Sequence, residues 1–190
     1  MIMDGNSNIQ SNNFLEIKHF DQNFTEEVNR RSGSRVDLCW QCKTCTNGCP
    51  FLEAMDYHPN FLIRLVQYGL KDEALNNSTI WICVGCNTCS SQCPNGIDIS
   101  AVTDTLREIA IKENISIAEP DILRFHKEVL NSIKRYGKTH KLEIMLRYKT
   151  YKRDFFSDVG VGLKMLTKHK LDILPSKNKD IKEIRDLFKL

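Results

Sequence analysis

Eight cysteines stand in two runs, CWQCKTCTNGCP at residues 39–50 and CVGCNTCSSQCP at residues 83–94, and the 190-residue chain has no others. Both runs are spaced C-x2-C-x2-C-x3-C-P, with 33 residues, Pro50 to Ile82, between Cys49 and Cys83. Thiols three residues apart let one short loop fold around three corners of an iron–sulfur cube. The fourth, set ahead of a proline, lies too far along to close the same cube comfortably. This is the spacing that binds a [4Fe–4S] cluster, and where two clusters are present the fourth cysteine ligates the cluster of the other run. Cys39, Cys42, Cys45 and Cys93 are therefore expected to hold one cluster, and Cys83, Cys86, Cys89 and Cys49 the other. Four thiolates per cluster leave no iron open to a substrate. The chemistry expected is electron transfer, with no catalytic residue on this chain.

Plainer readings of the cysteines fit less well. Structural zinc favours four-cysteine sites and CxxC pairs, but asks for neither a third cysteine three residues on nor a fourth before proline. A disulfide framework needs an oxidising compartment. Residues 1–13 (MIMDGNSNIQSNN) are polar and carry no apolar core of a secretory signal, so a reducing cytoplasm is expected. Thioredoxin-like CxxC chemistry would not need the whole pattern twice.

The loops need elements to hold them. Thr25 followed by Glu26, Glu27 and Val28 marks a helix start, with Gly33 near its end. Between the runs, His58-Pro59 opens NFLIRLVQYGL as a helix with proline in its first turn and Gly69 near its close, apolar on most sides and so buried. Lys71 to Leu75 can add a short turn. After the second run, Ile99, Val102, Leu106, Ile109 and Ala110 stripe one helix to about Asn114. No alternating strand pattern or hairpin signal interrupts these stretches. The expected fold is all-α: an alpha-helical ferredoxin domain with two [4Fe–4S] clusters, spanning residues 14–117 after a disordered start at 1–13. The offset of 44 residues from Cys39 to Cys83 makes it an internal duplication. Trp40 and Trp81, beside the runs, are expected to shield the clusters from water.

Residues 118–190 form a helical, partner-docking extension. Pro120 opens a helix with Ile122, Phe125, Val129, Leu130, Ile133 and Tyr136 on one face, closed by Gly137, and Leu142, Met145 and Leu146 follow. Gly160 and Gly162 frame a break before LKMLTKHKL, and Pro175 separates a last helix, DIKEIRDLFKL. Its stripe of Ile181, Ile184, Leu187 and Phe188 can lie on the protein itself or, the reading favoured, on a partner.

Charge and composition narrow the classes. Hydrophobic residues make up 41% and charged residues 27%, ordinary for a soluble protein. No apolar run approaches the ~18 residues of a membrane span. Residues 1–120 carry 9 Lys+Arg against 15 Asp+Glu, a net −6, and residues 121–190 carry 18 against 9, a net +9. The basic residues follow helical patterns with no aromatic-interleaved stripe, which argues for a solvated or protein-docking face over nucleic acid. There is no phosphate-binding loop, and Gly160-Val161-Gly162 lacks the third glycine of a dinucleotide site. His19, His58, His126, His140 and His169 have no metal-ligand spacing.

CWQCKTCTNGCP, CVGCNTCSSQCP, the helical connector and the basic helical tail together resemble the C subunit of methanogen CoB–CoM heterodisulfide reductase, over roughly residues 20–175. The cysteine runs alone are similar to those in iron–sulfur subunits of succinate dehydrogenase, fumarate reductase, glycolate oxidase and anaerobic glycerol-3-phosphate dehydrogenase. No cysteine precedes Cys39, unlike the succinate dehydrogenase type, and no CCG domain follows, unlike the glycolate type. The resemblance implies an electron-relay role. A flavin-containing A subunit (FAD and Fe–S) would deliver single electrons. A B subunit with CCG-bound noncubane clusters would reduce the CoM-S-S-CoB heterodisulfide in methanogenesis. In cytoplasmic complexes of this kind the flavin bifurcates electrons supplied by hydrogenase or formate dehydrogenase. The alternative is the electron-transfer subunit of a related flavin-dependent oxidoreductase; a metal-stabilised interaction module without redox work is the reading from another class.

Overall fold

The computed structural model describes residues 20–152 and 180–188, with positions 160, 164, 165, 168 and 178 between them. The expected polar start at 1–13, Gly162, and Pro175 lie outside the described residues. Two compact units divide the chain, Met1–Ile117 and Ala118–Leu190.

The first unit is built of helices, most of them short, and no strand occurs among the described residues. Helix α1 (Gln22–Ser32) begins three residues before the expected Thr25, because Asp21 takes the N-cap and its Oδ1 accepts from the Asn23 N–H at 2.9 Å. Thr25 instead donates its hydroxyl to the Val66 carbonyl at 2.6 Å. Gly33, at φ +66°, closes the helix in the left-handed conformation. A short turn, Val36–Leu38, then delivers Cys39.

Helix α2 (Thr44–Asn47) lies inside the first cysteine run. Helix α3 (Pro59–Gln67) follows with Pro59 at its start, as its sequence requires, and buries Leu62, Ile63, Leu65 and Val66. At its end the chain turns through Gly69, at φ +64°. A β-carbon there would stand 2.4 Å from the Asp21 carbonyl oxygen, and the Asp21 N–H donates to the Gly69 carbonyl at 3.0 Å. The close approach and the dihedral both demand glycine. Helices α4 (Lys71–Leu75) and α5 (Thr79–Ile82) lead to the second run, which contains α6 (Thr88–Ser91).

Helix α7 (Ile99–Lys112) is the long strut against which this unit assembles, touching α1, α4, α5 and α6. Its stripe of Ile99, Val102, Leu106, Ile109 and Ala110 is buried throughout, as the periodicity implied. Its N-cap is Asp98, whose Oδ1 accepts from Ala101 N–H at 3.1 Å. Each large aliphatic side chain buried in such a core stabilises it by roughly 1.5–3 kcal/mol. The four-residue helices α2, α5 and α6 are too short to persist alone. They are held by this packing.

In the second unit, α8 (Pro120–Tyr136) ends at Gly137, φ +75°, and α9 (Lys141–Lys152) packs on it. The apolar stripe expected along α8 is only partly covered. Phe125 and Leu130 are exposed, whereas Glu128 is 4% exposed, with one carboxylate oxygen 3.1 Å from Arg124. On α9 the buried residue is Ile144, not Leu146, which is exposed. The last described helix, α10 (Ile181–Leu187), lies against α8, with Leu187 exposed. The Arg185 guanidinium donates to the Lys134 carbonyl at 3.1 Å, and the Asn178 N–H donates to the Tyr136 carbonyl at 2.8 Å.

Candidate iron–sulfur site

The two cysteine runs follow one backbone course. Each reaches the left-handed region twice, at Gln41 (φ +63°) and Lys43 (φ +65°) in the first, and at Gly85 (φ +64°) and Asn87 (φ +59°) in the second. These turns wind the chain around its thiols, and each short helix that follows places the third cysteine, Cys45 or Cys89. Helices α2 and α6 meet face to face. A β-carbon on Gly48 would stand 2.6 Å from Gln92 Oε1.

Two cavities open between the runs. One is lined by Cys39, Cys42, Cys45 and Cys93. The other is lined by Cys49, Cys83, Cys86 and Cys89. Each draws three thiols from one run and the fourth from the other. Among the described residues, no three His, Cys, Asp or Glu side chains gather as the ligands of a single ion would. The thiols stand around a volume instead of converging on a point. That arrangement suits a cluster several atoms across, whose irons each take one thiolate.

The walls are apolar. Ile63 and Ile97 line the first cavity, Leu62 and Met55 the second, and Ile99, at the start of α7, lines both. One polar group stands out among the lining residues of the second. Ser100 is 7% exposed, and its hydroxyl is buried with no hydrogen-bond partner. A buried hydroxyl left unpaired is costly, so a group that accepts its hydrogen bond fits there.

The thiols are electrostatically graded. Burial pushes Cys45 up to about 11, and Cys89 is raised for the same reason. Cys42 and Cys86, both exposed, are lowered, chiefly by side-chain hydrogen bonds with Thr44 and Thr88, whose Oγ1 atoms stand 3.4 Å from the sulfurs. A buried thiol such as Cys45 becomes a thiolate when a cation compensates its charge, as a ligated iron does.

Long-range side chains, invisible in the spacing, fix where each run begins. Gln67 at the end of α3 donates through Nε2 to the carbonyls of Val36 and Cys39, both at 2.9 Å. Arg107 on α7 donates to the carbonyls of Ile80 and Cys83 and pairs with Asp104 at 2.7 Å. Val36 and Ile80, like Cys39 and Cys83, are 44 residues apart. The same two carbonyls are thus clamped in each half of the duplication, by a neutral amide in one and by a guanidinium in the other.

Trp40 lines the first cavity but is 67% exposed, so it flanks the thiols without sealing them. Trp81, 2% exposed, is a core residue that lines neither cavity. The shielding expected of the tryptophans falls to the isoleucines, leucine and methionine named above.

Residues 35–97 match a family model described as a 4Fe-4S dicluster domain. The chain is 33% identical over 100 residues to the C subunit of the H(2):CoB-CoM heterodisulfide,ferredoxin reductase of Methanothermobacter marburgensis, covering 53% of this chain and 54% of the relative. It is 34% identical over 132 residues to the second iron-sulfur C subunit of the CoB--CoM heterodisulfide reductase of Methanocaldococcus jannaschii, covering 65% of this chain and 67% of the relative. A protein of Archaeoglobus profundus described as resembling the heterodisulfide reductase C subunit is 28% identical over 99 residues, 52% of this chain and 53% of its own length. The matched stretch thus spans about half the length of two of these three relatives.

Proposed function

The chain belongs to the family of heterodisulfide reductase C subunits, and from that premise we propose that it is the two-cluster electron relay of such a reductase. It is an iron–sulfur electron-transfer component of an oxidoreductase complex. In the proposed scheme it takes single electrons from a flavin-containing A subunit and passes them to a catalytic B subunit that reduces the CoM-S-S-CoB heterodisulfide.

The observation that carries the two-cluster reading is the partition of the eight thiols into two apolar cavities, four to each. Cys39, Cys42, Cys45 and Cys93 would hold one [4Fe–4S] cluster and Cys83, Cys86, Cys89 and Cys49 the other. When bound, such clusters supply reversible one-electron chemistry. The chain's own residues do the rest. The cysteines would anchor the iron and compensate its charge, Gln67 and Arg107 hold each loop at its first cysteine, and the aliphatic walls would keep water back. Ile99 lines both cavities. An apolar wall shared by both sites keeps polar groups from lying there.

The second unit is proposed as the docking extension. Its sequence region is strongly basic, and Phe125 and Leu130 of α8 are exposed. No described helix is long and apolar enough to cross a membrane. The proposed setting is a complex in the cytoplasm, fed by a hydrogenase or formate dehydrogenase, with flavin-based bifurcation on the A subunit.

Anaerobic purification of the chain from its native cells tests the scheme. A flavoprotein and a CCG-motif protein recovered with it, and eight irons per chain, are the expected result. Recovery with a succinate- or glycolate-type dehydrogenase would transfer the relay to another reaction, and two zincs per chain would end the relay reading.

A further inference from the structure

Resting on the cluster reading above, the structure points to an unequal electrostatic treatment of the two thiol sets. In the first run Gln41 Nε2 donates to the sulfur of Cys39 at 3.4 Å. The Gln41 Oε1 accepts from Asn60 Nδ2 at 3.0 Å, and the Asn60 Oδ1 accepts from the Thr46 hydroxyl at 2.5 Å. Thr46 is buried, and its Oγ1 in turn accepts from the Asn60 backbone N–H at 3.3 Å.

This network has one direction. The Thr46 hydroxyl, already accepting from the Asn60 N–H, turns its own hydrogen to the Asn60 side-chain carbonyl. That fixes the Asn60 amide with its NH2 toward Gln41, which fixes the Gln41 amide with its NH2 toward the sulfur. Every donor is aimed at Cys39. Asn60 sits in the first turn of α3, so the helix's positive end lies behind the relay.

The second run has no counterpart. Gly85 stands where Gln41 does, with no side chain to donate. Ser90, at the position of Thr46, spends its hydroxyl on Asp98 Oδ1 at 2.8 Å. Gln41 also holds φ +63°, a conformation that costs a residue with a side chain more than it costs glycine. A glutamine kept at a glycine's dihedral, with its amide locked onto a ligand sulfur, is strain placed at a working group.

We propose that the Thr46–Asn60–Gln41 relay raises the reduction potential of the cluster bound by Cys39, Cys42, Cys45 and Cys93, leaving the other cluster's potential to its own surroundings. One added electron places one more negative charge on the iron–sulfur–thiolate unit. A hydrogen bond to a ligand sulfur therefore stabilises the reduced form more than the oxidised one. No bond in the relay is made or broken, and no proton leaves it. The electron comes from the chain's electron-donating partner, and in the test from dithionite.

The test is a redox titration of the full chain, purified anaerobically, with dithionite as reductant and electron paramagnetic resonance as the readout. Iron and sulfide are counted in every sample. Gln41→Gly removes the donor and gives the backbone the residue that the second run uses. Gln41→Met removes the donor but keeps the volume that excludes water. Both variants are expected to keep eight irons, with one of the two one-electron couples falling and the other moving far less. Asn60→Leu, which frees the Gln41 amide to rotate, is expected to lower the same couple by a smaller amount. Full loading with neither couple moved, or with both moved equally, would overturn the inference. So would a shift in Gln41→Gly that Gln41→Met lacks, since that would assign the effect to water. A wild-type chain without iron would instead overturn the cluster reading, and the inference with it.

Discussion

At the scale of single residues, the cross-over of the fourth cysteine is the assignment with the sharpest consequence. Cys49 follows Cys45 in the chain yet lines the cavity of Cys83, Cys86 and Cys89. Cys49→Ser is therefore expected to perturb the cluster of the second run and leave the first intact. Resonance spectra of the purified variant check this, and loss confined to the cluster of Cys39, Cys42 and Cys45 would reverse the assignment. That these eight cysteines would gather as two sets of four was readable from spacing alone, because the pattern is local and repeats. The residues around them could not. Gln41 is visible as an oddity only when the runs are aligned at their 44-residue offset, where it faces Gly85. Ser100 and Asn60 carry no signal at all in one dimension. Their importance comes from being brought to a cavity wall by helices α7 and α3.

Among the elements, α3 and α7 do corresponding work, each offering one side chain to the first cysteine of a run. The clamp of α7 is a charge with a fork of donors, which a lysine cannot reproduce. Arg107→Lys should therefore keep the charge but free one of the carbonyls of Ile80 and Cys83, at a cost of about 1–3 kcal/mol. Iron should be lost to a chelator faster from the second run than from the first, a difference readable from the decay of the two signals. The start of α1 depends on a different junction, where Asp21 lies against Gly69. Gly69→Ala combines a left-handed alanine with a backbone clash. It is expected to lower unfolding stability by about 2 kcal/mol or more, measured by denaturant titration of the loaded chain. Helical periodicity predicted α3, α4 and α7 well because their apolar stripes are satisfied within one core. It also placed α8 from Pro120 to Gly137, but it did not show that Glu128 is buried beside Arg124 while Phe125 and Leu130 face outward. A stripe records which face is apolar, not whether anything covers it.

For the molecule as a whole, the fold class followed from what was missing, since nothing in the connector could pair as strands. The first unit then proves to be two copies of one loop held around two spaces by a single long helix. The copies differ where their surroundings differ: amide against guanidinium at the entry, glutamine against glycine within the turn, an unpartnered serine at one wall. Ile99, at the head of that helix, is shared by both walls. An apolar shared wall screens charge poorly. The first electron to settle on one side should repel the second, so the chain should fill in two steps spread further apart than two isolated centres would give. The midpoints read from such a curve would describe the pair and not either member. Ile99→Asn, by letting polarity into the shared wall, should draw the two steps together.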